Sequence, residues 1–258
     1  MATEHGPEEP QAEATLLSHL VELRNRLLKA VVAVLVIFVA LAPFADQLFA
    51  LIAEPLMKQL PEGTSMIATQ VASPFLTPFK TAMVGAIFLA MPLLLYQIWA
   101  FVAPGLYQQE KRLAMPLVIT SALLFYLGVG FAYFVVFPLM FAFFTAVAPE
   151  GVSVMTDINA YLDFILTLFF AFGLAFEVPI ATVLMVWAGF TTPAKLASKR
   201  AYVLLGAFVV GMLLTPPDVI SQTLLAVPVY ILYEAGIVMA RVLVPGHREV
   251  ERQQSEGT

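Results

Sequence analysis

Residues 113–149 read LAMPLVITSALLFYLGVGFAYFVVFPLMFAFFTAVAP, and the nearest charged residues are Arg112 on one side and Glu150 on the other. About 20 residues of helix, at ~1.5 Å each, cross the hydrocarbon core of a bilayer, so this stretch is long enough to span one. A buried helix of a water-soluble bundle shows a polar stripe at every turn. Between Leu117 and Thr145 only Thr120, Ser121, the tyrosines and the glycines interrupt the apolar run. The stretch therefore reads as a transmembrane helix. Lys80 to Glu110 encloses a second charge-free gap of spanning length, and further apolar blocks run through Ala30–Ala45, Phe164–Phe176, Val178–Ala194, Ala201–Pro217 and Val219–Tyr233. Only Glu177 separates two of these blocks, and joining them across it gives one span. The expectation is an all-α integral membrane protein with six transmembrane helices, near 27–45, 77–101, 113–143, 161–187, 201–215 and 220–241.

The composition agrees. Of 258 residues, 60% are hydrophobic and 12% charged, against about 45–50% and about 25% in soluble globular proteins. So little charge cannot cover a water-facing surface, which argues against a soluble enzyme and against disorder. The absence of Cys removes disulfides, thiolate metal sites and Cys nucleophiles. The three His lie near the chain ends, and the net charge of −5 argues against nucleic acid as a partner. A polar, mostly acidic stretch precedes the first apolar run and no small-residue cleavage pattern follows it, unlike a secretory signal peptide. The domain reading is one six-helix unit over 16–243, flanked by a disordered acidic tail at 1–15 and a disordered cytoplasmic tail at 244–258.

Lys and Arg set the orientation. They collect before the first span (Arg24, Arg26, Lys29), after the second (Lys111, Arg112), after the fourth (Lys195, Lys199, Arg200) and after the sixth (Arg241, Arg248, Arg252). Lys58 and Lys80 alone fall on the other side. Both termini are therefore expected in the cytoplasm. The fifth and sixth helices are read as short. Residues 201–217 reach roughly 25 Å against a core of ~30 Å, and Thr215-Pro216-Pro217-Asp218 leaves only a tight turn between them. In the first outer loop Phe44, Leu48, Ile52, Leu56 and Leu60 recur every four residues, the stripe of an amphipathic surface helix that Pro55 should kink or break. Thr156 or Asp157 is placed to cap the fourth span and Thr192 a short inner helix.

Three acids are candidates for function. Glu177 lies near mid-depth of its span, where an ionisable group is expensive unless it meets a wet cavity or a partner. The competing reading is a neutral carboxyl bonded to the carbonyl near Ala175 that Pro179 frees. Glu22 stands four residues before Arg26, so an intrahelical ion pair is its plain structural role. Glu110 opens the third helix, where the helix dipole favours an acid. There is no Gly-x-Ser-x-Gly, no phosphate-binding glycine loop and no His-Glu-x-x-His. No enzyme, metal or cofactor is expected. A proton-coupled small-solute carrier using Glu177 is the alternative, though no internal repeat supports it.

Four segments then stand out in order: His-Leu-Val-Glu-Leu-Arg-Asn-Arg (His19 to Arg26), Phe-Val-Ala-Pro-Gly-Leu-Tyr-Gln-Gln-Glu-Lys-Arg (Phe101 to Arg112), Phe-Gly-Leu-Ala-Phe-Glu-Val-Pro (Phe172 to Pro179) and Gly-Met-Leu-Leu-Thr-Pro-Pro-Asp (Gly211 to Asp218). They resemble the signatures of the TatC family, the receptor subunit of the twin-arginine protein translocase, over about 16–243. The resemblance implies a multi-pass protein of the bacterial cytoplasmic (inner) membrane. It would bind twin-arginine signal peptides of folded cargo at the cytoplasmic face and nucleate an export complex driven by the proton-motive force. Glu22 and Glu110 would receive the two guanidinium groups, with Arg24, Phe101 and Lys111 lining the same patch. Met212, Leu213, Thr215 and Gln222 would dock the single-span partners TatA and TatB. Pro55 would belong to an outer cap, and Glu177 would be the family's membrane-buried acid. Other copies of the chain would join the complex.

Overall fold

The computed structural model describes residues 9–57, 66–102, 111–147, 155–214 and 218–244, with side chains from Leu20 onward except at positions 55, 56, 102 and 111–114. The described residues form helices joined by turns, with a single parallel bridge between Ile67 and Asp157.

Helix α1 (Glu9–Leu41) runs without an internal break until Pro43, which disfavours helix at Ala42 and turns the chain through a 3-10 segment, Ala42–Phe44. Helix α1 already passes through residues 9–15, a stretch the sequence reading assigned to the tail. The amphipathic segment follows as α2 (Ala45–Met57), which continues two residues past Pro55 before the described chain stops. Its inward face keeps part of the expected stripe: Leu48 is partly buried and Ile52 packs on the core, whereas Phe44 is exposed. Ala45 and Ala53 are buried and Phe49 packs on the core beside them, because a strict four-residue repeat drifts around a helix of 3.6 residues per turn.

Helix α3 (Ser73–Val102) accommodates Pro78 and Pro92. The opening stretch of sequence forms one long span in three parts: α4 (Lys111–Phe131), a π-helical turn (Ala132–Val136) and α5 (Phe137–Val147). The π turn sits directly before Pro138, whose ring and missing N–H disrupt the preceding turn. The next span is likewise divided. Asp157 caps α6 (Ile158–Ala175), a turn passes through Phe176 and Glu177, and α7 (Val178–Trp187) continues. Gly189, at φ +76°, closes α7: its N–H reaches the Val186 carbonyl and the Phe190 N–H the Met185 carbonyl. Thr192 then caps the short α8 (Pro193–Ser198). Helix α9 (Arg200–Leu214) and helix α10 (Val219–Leu243) complete the chain.

Among the described residues, five helical stretches are long and apolar enough to cross a membrane: Leu20–Glu54, Ser73–Phe101, Met115–Val147, Ile158–Trp187 and Val219–Leu243. Arg200–Leu214 is a shorter apolar helix. This corrects the expectation that both late helices are short. Helix α9 has 15 residues, but α10 has 25, roughly 37 Å at ~1.5 Å per residue. The expected bounds, 220–241, lie close to the observed ones; only the reading of this helix as short fails. The helix carries Pro228 inside it, and Glu234 is neutralised by Arg200 on α9, with N···O distances of 2.5 and 2.8 Å.

Helix α3 packs on α1, α2, α4 and α6; α4 packs on α6; and α10 packs on α7 and α9. In lipid such contacts rest on close packing of small groups more than on the hydrophobic effect. Ala82, Ala86 and Ala90 line one buried face of α3. Gly128 of α4 lets α6 approach so closely that a Cβ there would strike the Phe172 backbone, lying 2.9 Å from its carbonyl carbon. Around this contact Phe125, Phe137, Phe169 and Phe172 form the main core, with Phe137 stacked on Phe169 at 5.1 Å.

Candidate functional site

The helices alternate in direction, so the starts of α1 and α4 meet the end of α3 at one end of the molecule. Here the carboxylate of Glu22 holds a guanidinium. Glu22 Oε1 accepts from Nε and Nη2 of Arg26 at 2.9 and 2.6 Å. The third arm of the same guanidinium, Nη1, donates to Gln97 Oε1 on α3 at 3.2 Å. The intrahelical pair expected from the four-residue spacing is therefore formed, and Gln97 extends it across to a second helix. Phe101 stands one turn beyond Gln97 on α3 and is half-buried. Arg24 is exposed and donates to Asn25 Oδ1. Lys111 begins α4, but its side chain, like the whole of Glu110, lies outside the described residues.

Near the middle of the bundle Glu177 is buried at the turn between α6 and α7, 8% exposed. Its Oε2 accepts from the Ser121 hydroxyl of α4, and Ser121 Oγ accepts from Trp99 Nε1 of α3 at 3.0 Å. Three helices thus share one polar chain. The partner is a hydroxyl from a neighbouring helix, not the carbonyl near Ala175 of the competing reading. Glu177 Oε1 has no partner among the described residues. Trp99 and Ser121 escaped the sequence reading. The only available signal was that Ser121 is one of two hydroxyls in an otherwise apolar half-span, and its register relative to Glu177 depends on packing.

At the end opposite Glu22, α3 and α6 are fastened together. Ile67 N–H donates to the Thr156 carbonyl at 3.0 Å and Ile158 N–H to the Ile67 carbonyl at 2.9 Å. Asp157 Oδ1 accepts from the backbone N–H of Asn159 and Ala160, while Oδ2 takes the backbone N–H and hydroxyl of Thr69. Hydrogen bonds from Ala160 and then Thr69 hold this carboxyl well below its ordinary value, at about 2. Asn159 links to Ser73 and Thr77, and Lys80 pairs with Asp163. Tyr161 reaches from α6 to the Ile52 carbonyl of α2 at 2.9 Å. Pro55 belongs to α2, with its side chain outside the described residues.

Of the residues expected to dock partners, Met212 and Leu213 are exposed at 52% and 76%. Gln222 is half-buried, and its backbone lies where Gly211 leaves room, 3.6 Å from a Cβ built there. Thr215 lies outside the described residues. Asp218 caps α10 through the Ser221 N–H at 2.7 Å. Among the described residues no cluster of His, Asp and Glu could hold a metal ion.

Comparison with known proteins matches residues 18–228 to the family described as Sec-independent protein translocase protein (TatC). The chain is similar to the Sec-independent protein translocase protein TatC of Azotobacter chroococcum mcd 1, 60% identical over 94% of each chain. It is 57% identical to the protein of the same description from Escherichia coli strain K12, over 92% of each. Among solved structures, a crystal structure of the twin arginine translocase receptor TatC superimposes with a TM-score of 0.78 at 38% identity. That match covers 87% of this chain and 98% of the other.

Proposed function

Since the chain belongs to the TatC family of Sec-independent protein translocases, we propose that it is the receptor of a twin-arginine translocase and binds the arginine pair of cargo signal peptides through Glu22 and Glu110. It is a multi-pass membrane protein and a translocase subunit, not an enzyme. The observation that carries the recognition step is the Glu22 carboxylate, which already receives two N–H groups of a guanidinium. It is 44% exposed, so an incoming side chain can reach it. A carboxylate pairs with the flat fork of arginine through two parallel bonds, which the single ammonium of lysine cannot copy.

In this reading all six apolar helices span the membrane, with α9 as the fifth, and both termini are cytoplasmic, as the Lys and Arg distribution requires. The protein then resides in the bacterial inner membrane. Arg24, Phe101 and Lys111 complete the cytoplasmic patch around the two acids. The exposed Met212 and Leu213, with Thr215 and Gln222, receive the single-span TatA and TatB subunits. Further copies of the chain join the same complex. Helix α2 with Pro55 forms the outer cap, Glu177 is the family's membrane-buried acid, and the proton-motive force drives transport.

The test is binding of a fluorescent peptide carrying two consecutive arginines to the full chain in lipid nanodiscs. Replacing Glu22 and Glu110 together by Gln should weaken binding at least tenfold. Unchanged binding refutes the recognition step.

A further inference from the structure

The proposed receptor carboxylate is not empty. Arg26 fills it, and the way it is held assigns it a further role. All three arms of the Arg26 guanidinium are engaged: Nε and Nη2 on Glu22 Oε1, Nη1 on Gln97 Oε1. The arginine is the less exposed partner, at 23% against 44% for Glu22. Its grip falls on one carboxylate oxygen from the side. An incoming guanidinium that forks onto the carboxylate needs both oxygens, so it meets Arg26 in the place it must occupy.

Resting on the recognition step proposed above, we infer that Arg26 is a built-in latch on the receptor site. It is a guanidinium supplied by the chain itself, which occupies Glu22 until the first arginine of a signal peptide displaces it onto Gln97. The Gln97 bond is common to both states, so the exchange gives up only the ion pair with Glu22. When Arg26 leaves Glu22, one of its arms remains bonded to the Gln97 amide oxygen, so the displaced charge keeps a partner on α3. The unloaded site also never presents a bare carboxylate beside the bilayer, where any cation would be drawn to it.

The latch sets affinity. A partly exposed ion pair, converted to an equilibrium constant, is worth roughly a two- to fivefold factor. Arg26→Gln should therefore bind the twin-arginine peptide two- to fivefold more tightly than the unaltered chain. Gln97→Leu removes a bond that Arg26 makes in both the latched and the displaced state, so it should leave the affinity within the error of the control. A contact that only shaped the site would weaken binding when either residue is changed. Lys29→Gln removes one positive charge from the same helix without touching Glu22. It is exposed and should leave the affinity within the error of the control.

The experiment measures peptide affinity by fluorescence anisotropy for these variants and for Glu22→Gln, using the full chain in nanodiscs. Arg26→Lys accompanies Arg26→Gln in case the latter folds poorly; with one donor in place of a fork it should also tighten binding, though less. A gain for Arg26→Gln with none for Gln97→Leu supports the latch. An equal gain for Lys29→Gln reduces the effect to net charge and overturns it. No gain, or a loss, for both Arg26 variants overturns it as well. If Glu22→Gln binds as well as the unaltered chain, the recognition step itself fails and takes the latch with it. If Glu22→Gln abolishes binding while Arg26→Gln changes nothing, only the latch fails.

Discussion

Replacing Ser121 by Ala removes one oxygen and breaks two bonds. Trp99 Nε1 loses its acceptor on α4, and Glu177 Oε2 loses its donor, while Glu177 Oε1 already has no partner among the described residues. Interhelical hydrogen bonds in membrane proteins are worth on average about 0.6 kcal/mol and at most about 1.7. The Trp99 link, between neutral groups, belongs near the average. The Glu177 link serves a carboxyl that is buried and has nothing else to bond to, so it belongs near the top of that range. Ser121→Ala should therefore destabilise the bundle by about 2 kcal/mol. Thr120→Ala, one residue earlier, removes a hydroxyl that is exposed and bonded to the Pro116 carbonyl of its own helix. It should cost no more than about 0.5 kcal/mol.

The assay is unfolding of the purified chain in mixed micelles, followed by far-UV circular dichroism. A double-mutant cycle pairs Ser121→Ala with Glu177→Leu. A coupling of about 1–1.7 kcal/mol is expected for this pair, and about 0.6 kcal/mol when Ser121→Ala is paired with Trp99→Phe. If Ser121→Ala is no more damaging than Thr120→Ala, or if the Glu177 cycle shows no coupling, the three-helix chain is geometry without energetic consequence and the argument falls.

Gly128→Ala should lower the thermal midpoint sharply. Its Cβ would meet the backbone of Phe172, which cannot swing aside, and overpacking of this kind costs about 1–3 kcal/mol. Gly130→Ala, whose Cβ meets open space, should be neutral, and equal effects would contradict the close approach of α4 and α6. Asp157 has a folded-state carboxyl held at about 2 against an ordinary 3.8. Its contribution is thus complete above about pH 4 and is lost as pH falls through about 2. Carbon-detected NMR titration of the carboxyl should find that low midpoint, and Thr69→Ala should move it upward; a midpoint near 3.8 in the unaltered chain would refute the cap.

The spans were legible because charge is absent over longer distances than any other fold tolerates, and the caps because Asp157 and Thr192 stand directly before apolar runs. Where a polar residue finds its partner on another helix, the sequence could not name that partner. Glu234 bounds the apolar block that ends at Tyr233, and its bidentate contact is with Arg200 of α9. For Glu177 the sequence could name an acceptor only on its own helix, the carbonyl near Ala175, as the alternative to an unspecified polar partner. The partner it has, Ser121, is brought there by the Gly128 and Gly173 contacts between α4 and α6. The recognition role proposed for Glu22 and Glu110 comes from the family signatures. The spacing of Glu22 and Arg26 predicted their pairing, but it gave no sign of Gln97, 71 positions away.

The distribution of these cross-helix bonds says where the bundle is stiff. At the end holding the starts of α3 and α6, the Ile67–Asp157 bridge, the Asn159 and Thr69 links, the Lys80–Asp163 pair and the Tyr161–Ile52 bond tie three helices at successive turns. Breaking any one leaves the others in register. At the opposite end a side-chain bond from Arg26 to Gln97 links α1 to α3. On the proposed recognition step, a leader that captures Glu22 exchanges a partly exposed ion pair, while the far end holds the helices at a fixed spacing. Recognition then proceeds without reorganising the core, because the bonds that fasten the far end are not those the arginine pair competes for.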